Sequence, residues 1–196
     1  MGHRENLLAG AKQCLYERGY AHTTARDIVA ASGTNLASIG YHFGSKEQLL
    51  NAALFELIEE WNTELSRALS AETAASVTSL ERFERYWIHI TESFVTQRPM
   101  WLATFEVFAQ IERFPELERA IANGLQEGRM GWAGLIHTID VAAEPEQARQ
   151  VGSFYQALLS GVLVQWLVDP HRAPSGHDLA AALRIIAGRV QTEAND

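Results

Sequence analysis

Cysteine is nearly absent: Cys14 is the single one in 196 residues, so no disulfide can form within the chain. Its position three after Ala11 on an apolar face predicts a buried, inert thiol, consistent with a reducing cytoplasm. Lysine is almost as scarce. Lys12 and Lys46 are the only two, and none follows residue 50. A net charge of −8 excludes a generally basic nucleic-acid binder, because phosphate attraction needs positive side chains on the contacting surface. The shortage is uneven. Residues 1–50 hold Arg4, Lys12, Arg18, Arg26 and Lys46 against Glu5, Glu17, Asp27 and Glu47, a net +1, so the remainder carries −9. An acidic body repels a polyanion and leaves only the N-terminal part fit to approach one. Uninterrupted apolar runs are missing too. The N-terminus has no signal-peptide core, and Ala157 to Val168 is broken by Ser160, Gly161 and Gln165, so neither end is expected to be membrane-bound. Strand patterning, internal repeats and low-complexity tracts are not found.

What is present is helical period over nearly the whole chain, with 47% apolar residues to build a core. The length suits a small N-terminal unit, residues 1–48, and a larger helical body, residues 49–196. Glu5 to Arg18 repeats apolar residues at Leu8, Ala11 and Leu15, and Gly19 ends it. Thr24 with Asp27 three residues on forms a capping box that opens a short helix to about Ala31. The turn Ser32-Gly33-Thr34-Asn35 leads to a third helix. Ser45 and Gln48 cap a fourth, reaching towards Leu69. After a polar stretch, Ser70 to Ser79, come helices at Leu80 to Gln97, Met100 to Arg113, Pro115 to before Asp140, Glu144 to Val168 and His177 to Thr192. The expected fold is all-α, about nine helices in total.

The third helix is the chemical centre of the head. At 100° per residue, Leu36, Ile39, Gly40 and Phe43 fall on one side and read as packing, with Gly40 marking the close approach of another helix. Ala37, Ser38, Tyr41 and His42 fall on the other. A small apolar group, a hydroxyl, a phenol and an imidazole together supply the donors, acceptors and methyl contact that a major-groove reader needs. The start of the second helix offers free N–H groups, Thr23, Thr24 and Arg26 to a phosphate. With Thr34, Asn35 and Lys46 these make the candidate DNA-contact set. The alternative reading of each is a solvated helix end or a surface lysine. Gly40 to Lys46 is not a phosphate loop, because the spacing of the glycines fails and no strand precedes it.

In the body, Trp61, Phe83, Trp87, Phe94, Trp101, Phe105, Phe108 and Trp132, with Tyr86 and His89 near them, read singly as core and together as a mainly apolar ligand pocket. The penultimate helix is apolar over much of its circumference. Phe154, Leu158, Val162, Gln165 and Trp166, with Leu179, Leu183 and Ile186 of the last helix, are expected to form a four-helix homodimer contact. His89 with Glu92, and His137 with Asp140, are each one turn apart. They do not form the Glu-x-x-His pattern of a metal bundle, so neither metal nor cofactor is expected.

Gly19-Tyr20, Thr23-Thr24, Asp27-Ile28-Val29, Ser32-Gly33, Ser38-Ile39, His42-Phe43 and Ser45-Lys46-Glu47-Gln48-Leu49-Leu50 together resemble the TetR family of bacterial transcriptional regulators. The resemblance covers about the first 50 residues. It implies a three-helix DNA-binding head, a divergent ligand-binding body, a homodimer on a palindromic operator, and repression released by a small molecule. It also implies phosphate contacts from Thr23, Thr24 and Lys46 and base reading from Ala37, Ser38, Tyr41 and His42. The sequence departs from the family pattern at Asn35, Ala37 and Gly40, which leaves the operator sequence open. The rival readings are an all-helical enzyme using the aromatic pocket, for which no ordered nucleophile, base and orienter is found, and a helical scaffold that binds only protein.

Overall fold

Helix boundaries fall where the local capping chemistry puts them. The structure, a computed structural model, describes residues 2–72 and 77–193. Among the described residues it has nine α-helices and no strand: α1 His3–Arg18, α2 Ala25–Ser32, α3 Leu36–Phe43, α4 Lys46–Glu72, α5 Ser79–Thr96, α6 Arg98–Phe108, α7 Pro115–His137, α8 Pro145–Val168 and α9 Gly176–Glu193. Residues 73–76 of the polar stretch Ser70 to Ser79 lie outside the described residues. The Thr24 hydroxyl accepts from Asp27 N at 3.2 Å while Thr24 N donates to Asp27 Oδ2 at 2.9 Å, which starts α2. The same reciprocal box starts α5 with Thr78 and Glu81, and α9 with Ser175 and Asp178. Gly33, at φ 63°, closes α2 in the left-handed conformation. One expected helix is divided. Pro99 opens α6 instead of preceding it, since its missing N–H would be unpaired in a first turn anyway, and a 3-10 turn at Ile111–Arg113 takes up the remainder.

The capping carboxylates link stability to pH. Hydrogen bonds from Thr24, Thr78 and Ser175 hold Asp27, Glu81 and Asp178 below the ordinary carboxylate range. A folded-state pKa below the unfolded one stabilises above the unfolded value and is lost as pH falls through the folded one. The melting temperature should therefore drop between pH 7 and about pH 3, and less steeply in the combined Asp27→Asn, Glu81→Gln, Asp178→Asn variant. Parallel melting curves across that range would contradict the assignment.

The chain divides into two compact units, Met1–Glu64 with Gln97–Arg119, and Leu65–Thr96 with Ala120–Asp196. In the first, α1 contributes Leu7, Leu8, Ala11, Cys14 and Leu15 to a core shared with Ile28 of α2, Ile39 of α3, and Leu49, Leu50, Ala53 and Leu54 of α4. Cys14 is buried and unpaired, and burial raises its thiol pKa. Gly10 is where helices meet at short range. A Cβ there would lie 2.8 Å from Ser32 Cβ and 2.9 Å from Ser32 N. That role was expected of Gly40, which is exposed, with nothing within 4 Å of an added Cβ. α6 belongs to the same unit. Tyr20, at the end of the α1 turn, donates to Asn51 Oδ1 at 2.6 Å and to Gln110 Oε1 at 3.3 Å, and Trp61 meets Trp101 edge to face at 4.9 Å.

In the second unit, α5 supplies Phe83, Tyr86, Trp87, Ile90 and Phe94 to the interior, with Trp132, Ala133 and Ile136 of α7, Tyr155, Leu159, Val162 and Leu163 of α8, and Ala180 of α9. Gly152 of α8 lies against the Arg129 carbonyl of α7, with no room between them for a Cβ. By length and composition α8 is apolar enough to cross a bilayer. Its five buried side chains, Ala148, Tyr155, Leu159, Val162 and Leu163, are spent on this core.

Candidate functional site

The short loop Ser32 to Asn35 fixes how α3 leaves α2. Thr34 Oγ1 lies 2.7 Å from Ser32 Oγ, and Asn35 caps α3 by accepting from Ser38 N at 3.0 Å and Ser38 Oγ at 3.2 Å. Thr34 and Asn35 therefore shape the turn. Ile39 alone on α3 is fully buried, with Phe43 partly so. The exposed arc runs through Leu36, Gly40, Ala37 and Tyr41, while Ser38 and His42 are half-buried at its margin. This corrects the expected facing by about one residue, or roughly 100°. Leu36, expected to pack, is 53% exposed. Periodicity sets the angles between residues but not which side a two-turn helix turns inward. Tyr41 stands out most, at 85% exposure, with its ring edge to face with His42 at 4.8 Å.

The phosphate-side residues separate. Thr24 and Arg26 are exposed at the start of α2. Thr23 is not available: it is 1% exposed, and its hydroxyl donates to Gly19 O at 2.7 Å, so its side chain is structural. Lys46 Nζ donates to the Thr23 carbonyl at 3.0 Å and lies 3.4 Å from Glu47 Oε1, which brings its charge to the N-terminal end of α2. An ammonium has three donors, so capacity for an anion remains. Arg4 was missed. Its guanidinium carbon lies 5.3 Å from the Phe43 ring centre, which puts a cation beside the end of α3. This contact is tertiary, and no spacing in the sequence signals it.

The ten candidate ligand residues divide between the two compact units. Trp61, Trp101, Phe105 and Phe108 belong to the first compact unit; Phe83, Tyr86, Trp87, His89, Phe94 and Trp132 belong to the second. Within the second unit Phe83 and Trp132 both pack on Tyr155, at 5.8 and 6.3 Å between ring centres, and Tyr86 packs on Trp132 at 5.8 Å. Tyr155 and His137 are the polar pair that sequence reasoning passed over: they stack and share a hydrogen bond. Burial raises the Tyr155 pKa, and burial, with the Arg82 guanidinium, lowers that of His137. A cavity of about 40 Å³ is lined by Tyr86, Arg82, Arg85 and Ser70 with aliphatic neighbours, and of the ten only Tyr86 reaches it. The Arg82 guanidinium there is held by Ile136 O at 2.8 Å and Val77 O at 2.7 Å. Among the described residues no group of three or more His, Cys, Asp or Glu is placed to hold a metal.

Of the eight candidate interface residues, Phe154, Gln165 and Ile186 are exposed, and Leu158, Leu179 and Leu183 half so. Two face inward instead. Val162 is core, and Trp166 packs on Phe94 and donates to Pro174 O at 2.9 Å. The outward apolar side chains that were missed are Val164 and Val168 of α8 and Ile185 of α9, while Val190 of α9, which the helical period of the last helix also picks out, is exposed with them.

Known proteins match both parts of the chain. Residues 7–53 match the model of the bacterial regulatory proteins, tetR family, and residues 78–189, more than half of the chain, match the Tetracyclin repressor-like, C-terminal domain. The HTH-type transcriptional repressor AcnR of Corynebacterium efficiens is 34% identical over 90 residues, covering 44% of this chain and 46% of that protein. The HTH-type transcriptional repressor Rv3405c of Mycobacterium tuberculosis is 39% identical over 71 residues, 36% of each. The matched stretch thus spans less than half the length of these curated relatives. Among solved structures, a transcriptional regulator from Rhodococcus sp. RHA1 superposes with a TM-score of 0.67 at 16% identity, covering 97% of this chain and 96% of its own. A regulator from Streptomyces coelicolor gives 0.66 at 21% identity over 94% and 97%. These likenesses establish the fold.

Proposed function

We propose, from the fact that this chain belongs to the TetR family of bacterial regulatory proteins, that it is a transcriptional repressor. In this reading a homodimer binds a palindromic operator in the cytoplasm and is released by a small, mainly apolar or aromatic molecule. Members of the family are regulators and not enzymes. The observation that carries the DNA-reading role is Tyr41, 85% exposed on a helix whose entry is fixed by a capped turn. A phenol offered so far from the core, beside Ala37 and a Gly40 with open space around it, gives a groove-facing surface that is narrow, polar at one end and sterically permissive. Thr24 at the α2 N-terminus, Arg26 and Lys46 supply anion-binding capacity, and the acidic remainder of the chain leaves only this head fit to approach DNA. Residues 1–48 are the DNA-binding part in this proposal.

The exposed apolar residues of α8 and α9 support self-association, and a second copy of the chain matches the two-fold symmetry of a palindrome. Two recognition helices enter successive major grooves when they sit about 34 Å apart, or at a suitable multiple of the duplex turn. A ligand that favours another spacing draws the dimer off DNA.

A mobility-shift titration on the selected operator tests the contacts. Tyr41→Ala should lose roughly ten- to a hundredfold in affinity and alter base preference. Lys46→Gln, which keeps a donor for the Thr23 carbonyl, should weaken binding to all sequences and reduce the salt slope by about 1. Wild-type affinity and slope in both variants would remove these residues from the interface.

A further inference from the structure

The net +1 of residues 1–50 is not the charge that a polyanion meets, because most of the cations there are already answered. Lys12 Nζ lies 2.8 Å from Glu56 Oε2 and 2.7 Å from Glu60 Oε1, both on α4. Arg18 lies 3.4 Å from Asp27, and Lys46 3.4 Å from Glu47. Arg4 and Arg26 alone, of the five, pair with no carboxylate among the described residues. Glu5, beside Arg4 in sequence, is turned back to cap α1 and accepts from Gly2 N. Arg26 already belongs to the phosphate set at the start of α2. Arg4 is the remaining uncommitted cation of the head, and it stands on a different helix.

Its side chain is exposed but held. The guanidinium sits over the ring of Phe43, the last residue of α3, at 5.3 Å. Phe43 meets His42 at 6.5 Å between ring centres and His42 meets Tyr41 at 4.8 Å, so three rings in succession join Arg4 to Tyr41. All of these residues lie in the first compact unit. A guanidinium stacked on a ring keeps its fork of N–H donors for a bidentate acceptor, and the stack lowers the cost of ordering a long side chain. Position decides which acceptor. A helix with its side chains is about 10–12 Å across and fills a major groove about 12 Å wide. With α3 in the groove, a side chain that reaches its end from α1 meets the rim, where phosphates and not base edges run.

We infer that Arg4 is a DNA-backbone contact of the head, held over Phe43 so that its guanidinium takes a phosphate at the rim of the groove that α3 enters. This rests on the DNA-reading role of α3 proposed above. Lys46 of α4 is drawn to the N-terminal end of α2 by the Thr23 carbonyl, so α3 is flanked by cations from two other helices, α1 and α4. The Arg4 contact fixes position and carries no sequence preference of its own.

Mobility-shift titrations of the full chain over a series of salt concentrations, on the selected operator and on an unrelated duplex, test the contact. Arg4→Gln should weaken binding to both duplexes roughly tenfold and lower the salt slope by about 1, leaving base preference unchanged. Arg4→Lys should keep the wild-type slope and lose part of the affinity, because an ammonium keeps the charge without the planar fork. Wild-type affinity and slope in Arg4→Gln, beside a reduced slope in Lys46→Gln, overturns the Arg4 contact and leaves the DNA-reading role standing. A change of base preference in Arg4→Gln overturns the backbone assignment, and so does a slope in Arg4→Lys as low as in Arg4→Gln. Absence of salt-dependent binding by the wild type to either duplex overturns the DNA-reading role and this contact together.

Discussion

Ile186→Asp should convert the proposed dimer to a monomer and weaken operator binding roughly a hundredfold or more. Ile186 is 59% exposed on α9, so the substitution leaves the protomer core intact. The other members of this outward set, Ile185 and Val190 of α9 and Val168 of α8, the last 80% exposed, add apolar area that water covers only at a cost. Across a two-fold axis every substitution enters twice, so two carboxylates lose water together, and the penalty of burying an unpaired charge applies to each. With dimerisation lost, each head binds its half-site alone and the second binding event is no longer intramolecular. Sedimentation velocity should show the protomer mass. A variant that sediments as a dimer and binds the operator like the wild type would place the interface elsewhere.

Gly152→Ala should destabilise the second unit on the order of 3 kcal/mol, lowering the melting temperature by roughly 6–12 °C in a chain of this size. The methyl group would occupy space held by the Arg129 carbonyl. A backbone atom cannot swing aside as the tip of a side chain can, so α7 and α8 have to separate. Gly161→Ala on the same helix meets nothing within 4 Å and should be neutral or slightly stabilising. Equal melting temperatures for the two variants would mean that the α7–α8 approach is looser than described.

These glycines show how far the sequence could be read. Gly10, Gly40, Gly152 and Gly161 are the same letter in helical surroundings. Only the fold separates the two on which a neighbouring helix presses from the two that face open space. Local chemistry was legible: the Thr24–Asp27 box predicted the start of α2, because its donors and acceptors lie within four residues. The matching boxes at Thr78–Glu81 and Ser175–Asp178 carry the same signal and were equally available. The facing of α3 was not, since two turns with one buried residue give periodicity too little to work with; Leu36 and Gly40 were placed inside and lie outside. Thr23 and Val162 went the other way, because hydroxyls that bond backbone carbonyls, and valines on a helix apolar all round, look alike whether buried or exposed. The aromatic residues were recognised as a set, but which of them share a core depends on the compact units, and those are not contiguous in sequence.

The claim that most depends on the head is that it reads a two-fold DNA site. Selection of the full-length protein on a random duplex library at fixed salt tests this directly. The account predicts convergence on an inverted repeat whose half-sites lie one duplex turn or a suitable multiple apart, with Tyr41→Ala shifting the selected bases. Failure to converge, or binding that is equal on all duplexes, would contradict it.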